Sequence, residues 1–256
     1  VDIVSYGSDP LQTVGVYRST APNGASVVLV HGGGFRSSAH DALGLATNAH
    51  NLTADGDTVF VVNYRSDTDG VGIAGQTADV VSGTQWVIAN AASFGAKPSD
   101  LTVIGGSSGG LLTGDAVEDL NDIHPGTVNT VITLSGTEDF ATALAYWSTY
   151  PGPEGKQHMK DLTGTLGCPK SGVGCSAALE NEYSPDRQAS STNCAAQWII
   201  FNGNAESQPT SQAMAMDNAL IAARCPQTLD IFPDTAHAFD YWNTVLPQIQ
   251  AAIKAA

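Results

Sequence analysis

Residues 101–112 read LTVIGGSSGGLL, two adjacent serines held between two pairs of glycines. The apolar run before the first glycine has the β-branched character of a buried strand, and the residues after the serines open a helical stretch. A sharp strand-to-helix turn with a serine at its apex is the context of a nucleophile elbow, Gly-x-Ser-x-Gly. Two frames fit: Gly105 to Gly109 around Ser107, and Gly106 to Gly110 around Ser108. The glycines have a physical reason, because bulky neighbours would collide with adjacent backbone and the apex adopts strained dihedrals. A phosphate-binding glycine turn is the competing reading, but no lysine follows the glycines as a Walker-type loop requires.

Upstream, LVHGGGF at 29–35 ends another apolar strand with three consecutive glycines. Backbone N–H groups in such a turn point into shared space unobstructed by side chains, as oxyanion donors must. A general base has six histidines to come from. His31 belongs to the glycine turn and is expected to hold it. His40 and His50 fall on an early helical stretch, His124 precedes Pro125 in a turn, and His158 lies in a polar segment. His237, in FPDTAHAFDYW, follows the last expected strand and precedes the terminal helix, which puts it at the sheet edge carrying the elbow. The acid that orients it should follow the preceding strand. WIIFNGNAESQP ends that strand near Gly203 and presents Glu206; Asp234 is the alternative, so near His237 in sequence that turning to face it is difficult. Ser…Glu…His is the chain order of the α/β-hydrolase triad.

The same alternation continues along the chain. SVVLV, TVFVVNYR, DLTVIGG, VNTVITLSG, AQWIIFNG and QTLDIFP read as strands. Helical stretches are expected near 39–54, 75–93 and 109–120, and YWNTVLPQIQAAIKAA closes the chain as a helix. Strands apolar on both faces and separated by helices predict an α/β fold with a mostly parallel central sheet flanked by helices. The rhythm breaks at about 140–193, which is polar and turn-rich and reads as a short insertion over the carboxyl edge of the sheet. One domain, 1–256, is expected, since a chain of this length buries roughly 70–75% of its unfolded surface.

Twenty-five acidic side chains against ten basic ones give a net charge of −15, which argues against nucleic acid and anionic membranes as partners. Apolar residues make up 42% of the chain without an uninterrupted run long enough to span a bilayer. The four cysteines form no Cys-x-x-Cys and lack zinc-type spacing with histidine. An even number in an acidic, lysine-poor chain points to disulfides and a secreted, extracellular protein; a start at Val1 rather than Met agrees with a processed terminus. Of three possible connectivities the preferred one is Cys168–Cys175, closing CPKSGVGC, with Cys194–Cys225; four free thiols are the alternative.

Taken together, VHGGGFRS, VVNYR, the stretch from ADVVSGTQW through SFGAKPSDLTVIGGSSGG, EYSPDRQ and QWIIFNGNAE resemble the α/β-hydrolase esterases that carry His-Gly-Gly-Gly, the hormone-sensitive-lipase-like and bacterial feruloyl-esterase-like carboxylesterases. The resemblance runs from about Leu11 to the end of the chain. Its elbow pattern, laid on residues 105–110, implies Ser107 as nucleophile, and it implies oxyanion donors at the N–H groups of Gly33, Gly34 and Ser108. Glu206 stands where that family more often has Asp, His237-Ala238-Phe239 stands for its His-Gly-Phe, and the segment holding Cys168 and Cys175 has no counterpart in it.

The expected chemistry is acyl transfer on a small-molecule or polymer-borne ester, with Ser107, His237 and Glu206 as triad and no metal or organic cofactor. DTDG at 67–70 lacks the remaining ligands of a calcium loop and reads as a turn. Phe35, Tyr146, Trp147 and Tyr150 are candidate pocket residues, with core packing as their other reading. A short insertion favours short-acyl or aromatic (feruloyl or acetyl) esters, with polyester a further candidate. Amide or peptide hydrolysis by the same triad, and a non-catalytic ligand-binding module on this fold, are the rival readings.

Overall fold

The computed structural model describes residues 1–36, 43–169, 175–190 and 196–256. Eight strands form one sheet: β1 (Asp2–Ser5), β2 (Thr13–Tyr17), β3 (Ser26–Val30), β4 (Thr58–Val62), β5 (Leu101–Gly106), β6 (Val128–Leu134), β7 (Gln197–Gly203) and β8 (Gln227–Phe232). Their spatial order is β1-β2-β4-β3-β5-β6-β7-β8. The pairings from β4 to β8 are parallel, while β1 and β2 add an antiparallel edge. This is the expected mostly parallel sheet, extended by two N-terminal strands that the sequence reading did not identify. In TVGVY the alternation is only two apolar residues long, too short to stand out before its partner strand is known.

Helices cover both faces: α1 (Ala46–Ala54), α2 (Ile73–Asn90), α3 (Ser108–Ile123), α4 (Phe140–Thr149), α5 (Gly152–Thr165), α6 (Ala177–Glu182), α7 (Pro185–Gln188), α8 (Thr210–Ala223) and α9 (Trp242–Ala255). The central strands are buried on both sides because successive side chains enter different cores. Val28, Val30, Phe60 and Val62 pack with α2, α3 and α8, whereas Val27, Leu29, Val59 and Val61 pack with α1 and α9. Period-two side-chain alternation thus turns a continuous apolar run into a sheet sandwiched between two helical layers.

Two expectations change. The first helix was placed from residue 39; 37–42, including His40, lie outside the described residues, 43–45 form a turn, and the helix starts at Ala46. The segment 140–193 is not mainly turns, since α4, α5, α6 and α7 occupy most of its described residues. Composition obscured this: α5 (GPEGKQHMKDLTGT) carries few apolar residues, while its Gly155, Asp161, Leu162, Thr163 and Thr165 are buried by packing. Cys168 and Cys175 form a disulfide. Cys194 lies outside the described residues, and with it the Cys194–Cys225 pairing. DTDG forms a tight turn whose Asp69 carboxylate accepts from the N–H and hydroxyl of Ser66. No described helix is long and apolar enough to cross a membrane.

Candidate active site

Strand β5 delivers its chain into α3 through Ser107, which has φ 57° and ψ −127°. This is an unfavourable conformation for a side-chain-bearing residue, of the kind that occurs where surrounding structure forces it. The forcing contacts are close: a Cβ on Gly109 would lie 2.2 Å from the carbonyl oxygen of His31, and one on Gly32 would lie 2.9 Å from Ser107 Cβ. The elbow and the HGGG loop are therefore packed backbone against backbone. Ser107 is partly accessible at the apex, whereas Ser108 is 1% exposed at the first position of α3.

The glycine loop is held from behind. His31 stacks on Tyr64 with ring centroids 4.3 Å apart, its Nε2 lies 3.1 Å from Asn63 Oδ1, and Tyr64 OH donates to the His31 carbonyl at 2.8 Å. Gly33 and Gly34 take φ values of 137° and 62°. Their N–H groups, and that of Ser108, donate to no acceptor among the described residues. For Ser108 the reason is general, since the first N–H groups of a helix have no intrahelical acceptor.

Across the mouth, β8 leads to His237 and β7 leads to Glu206. His237 Nδ1 pairs with Glu206 Oε2, and the Glu206 side chain is fully buried. A carboxylate at Nδ1 keeps the proton on that nitrogen and leaves Nε2 as the acceptor. Asp234 does not make this contact; its Oδ1 accepts from the N–H of Ala236 at 2.9 Å, closing its own turn.

The sequence reading missed Ser135, at the carboxyl end of β6. Its φ is 52°. Its hydroxyl donates to Glu206 Oε1 at 2.5 Å, accepts from the N–H of Ala238 at 3.2 Å, and lies 2.8 Å from Tyr241 OH. Gly203 N–H also donates to Glu206 Oε1, at 2.9 Å. Each hydroxyl has one hydrogen. The carboxylate, the strongest acceptor, takes that of Ser135, and the single Tyr241 hydrogen is shared in a three-centre bond between Ser135 Oγ and the Phe201 carbonyl 3.0 Å away. Burial pushes the Tyr241 pKa up, so it remains a donor. Ser135 thus ties the acid and the backbone beside His237 together. The one available signal was a small hydroxyl residue ending the strand next to β5.

A cavity of about 800 Å³ opens between these elements. Ser107, Ser108, Gly33, Gly34 and His237 line it, with Phe35, Leu45, Trp147, His158, Leu162 and Trp242 among its other walls. Phe35 and Trp147 border the cavity while also packing into the core, and Tyr146 and Tyr150 are not among the lining residues. Helical periodicity explains this: Phe140, Ala143, Leu144 and Trp147 share the buried face of α4, leaving Tyr146 on its flank and Tyr150 past its end, both packed on Trp147. His158 was placed in the insertion without a role; α5 turns it into the cavity. Among the described residues no cluster of His, Cys, Asp or Glu has the arrangement to hold a metal ion.

Residues 16–165, more than half of the chain, match the BD-FAE family model. The chain belongs to the BD-FAE family. Over 153 residues this BD-FAE member is 29% identical to Esterase FE4 of Myzus persicae, covering 56% of this chain and 25% of that protein. It is 33% identical over 142 residues to Juvenile hormone esterase of Heliothis virescens, covering 50% and 23%. The chain thus spans about a quarter of the length of the curated relatives it first matches. A crystal structure of esterase B from Lactobacillus rhamnosis superposes with a TM-score of 0.76 at 17% identity, covering 99% of this chain and 84% of that one. At that identity the likeness establishes the fold, which is that of the α/β-hydrolases.

Proposed function

We propose that this BD-FAE member is a carboxylesterase-type serine hydrolase working through an acyl-enzyme. The carrying observation is the convergence, on one cavity, of a serine at a strained strand-to-helix apex and a histidine paired with a buried carboxylate. The names of the relatives, all esterases, agree with this reading.

Ser107 Oγ attacks the ester carbonyl carbon as its proton passes to His237 Nε2, and Glu206 stabilises the imidazolium. The carbonyl π electrons move onto oxygen, which accepts from the N–H groups of Gly33, Gly34 and Ser108. Collapse breaks the bond to the alcohol oxygen, which takes the proton from His237. Water then repeats the sequence on the acyl-enzyme, releasing the acid and restoring Ser107. No cofactor enters these steps. Ser108 contributes its backbone rather than its hydroxyl, which is buried.

The cavity has the size of a small-ligand site. Its aromatic and polar walls suit short-acyl or aromatic esters, free or carried on a polymer, feruloyl, acetyl and polyester groups included. The segment 140–193 acts as a cap within a single domain, and the acidic, disulfide-bearing chain suits a secreted enzyme. Labelling with a fluorophosphonate followed by peptide mapping tests the proposal, with the adduct expected on Ser107. An adduct on Ser108 would overturn the assignment, and absence of labelling would revive a non-catalytic binding module. Faster turnover of a p-nitroanilide than of p-nitrophenyl acetate would make the enzyme an amidase.

A further inference from the structure

His158 enters the cavity from α5 and lies flat against Trp147, with ring centroids 3.8 Å apart and planes 19° from parallel. A phenyl ring would stack there equally well, so packing alone does not call for an imidazole. His158 is half-buried, and among the described residues its side chain meets the protein through the Trp147 stack rather than through a hydrogen bond. Neither ring nitrogen is sealed from solvent, and both open on the cavity, where water or a ligand can meet them.

The surroundings determine its charge. Burial pulls the His158 pKa down, outweighing Asp161 and Glu154 on its own helix, while His237 across the cavity pulls the same way. At pH 7 it is a neutral imidazole, with one donor and one acceptor nitrogen. That pair complements a hydroxyl, which also donates and accepts. An anionic group fits poorly beside Asp161 in a chain of net charge −15.

We infer that His158 is a specificity-determining residue of the esterase site proposed above, hydrogen-bonding a hydroxyl carried by the ester while its stack on Trp147 forms a flat wall of the cavity. The inference rests on that reading for the identity of the ligand as an ester. The hydroxyl lies on either the acyl or the alcohol portion, and three ligands separate these: propyl butyrate, propyl 3-hydroxybutyrate and 3-hydroxypropyl butyrate.

The test measures their binding by NMR titration to Ser107→Ala, in which turnover is blocked, and to Ser107→Ala/His158→Phe, which keeps the stack and removes both nitrogens. One hydroxylated ester is expected to bind up to about tenfold more tightly than propyl butyrate, as one net hydrogen bond provides. The double variant is expected to lose that preference, so that the hydroxylated ester and propyl butyrate bind it with equal affinity. Which ester shows the effect identifies the portion that His158 reads. Equal preference in both backgrounds, or none in either, overturns the inference. Wild-type turnover of propyl butyrate is the separate control: its absence sinks the esterase reading, whereas the titrations still judge His158.

Discussion

Ser135→Ala tests whether the acid–base pair is held by the hydroxyl behind it. The substitution removes one of two donors to Glu206 Oε1 and the acceptor of the Ala238 N–H, and leaves the Glu206 contact with His237 in place. A hydrogen bond to a buried charge contributes about 1.5–3 kcal/mol. Half of that range reaching the transition state, about 0.8–1.5 kcal/mol, lowers kcat about four- to twelvefold. KM should change little, because the Ser135 hydroxyl touches protein groups. The assay is steady-state hydrolysis of p-nitrophenyl butyrate by wild type, Ser135→Ala, Glu206→Gln and the double variant. Since Ser135 acts through Glu206, the two losses should be strongly non-additive. Unchanged kcat in Ser135→Ala, or losses that simply multiply, would refute the reasoning.

The other predictions follow from packing, chemistry and titration. Ser107→Ala should abolish ester turnover and fluorophosphonate labelling while leaving thermal unfolding unchanged, as calorimetry would show. Gly109→Ala puts a Cβ 2.2 Å from the His31 carbonyl oxygen. It should destabilise the protein by about 1–3 kcal/mol in urea unfolding and lower activity, since elbow and glycine loop are forced apart. Glu138, buried within the β6–α4 connection, has its pKa pushed from 4.5 up to about 7 by burial. The folded state therefore keeps a proton that the unfolded chain loses, so this contribution is complete below about pH 4.5 and falls away as pH rises through about 7. Between pH 4.5 and 8 the group should cost about 3 kcal/mol of stability. Glu138→Gln should remove that part of the decline in urea unfolding, and an unaltered decline would count against it.

Much of the fold was legible because its signals are local. VVLV and VFVV are apolar at every position and LTVI at every position but Thr102, and only a sheet covered on both faces buries such runs without a polar side. The elbow and glycine loop were legible for a similar reason, since a backbone turn that excludes side chains must be written in glycine. α5 was illegible because its buried face holds Gly155, Asp161, Thr163 and Thr165, residues that look exposed until packing encloses them. Ser135 was one hydroxyl residue among many. Its role depends on β6, β7 and β8 being neighbours in the sheet, a relation between segments 71 to 106 residues apart.

The sequence by itself determined the covalent order of the parts: a strand that ends in glycines, a strand that ends in Ser107, then Glu206 and His237 at the ends of the last strands. Parallel strands with helical crossovers must bring those ends to one edge, so the shared location followed from order alone. Tertiary structure decided what order cannot express, namely which side chains on a helix face the cavity and which carboxylate meets the imidazole. Those depend on rotation about each helix axis and on the register between neighbouring strands. That is how Tyr146 came to lie beside the cavity wall, His158 within it, and Asp234 turned away from His237.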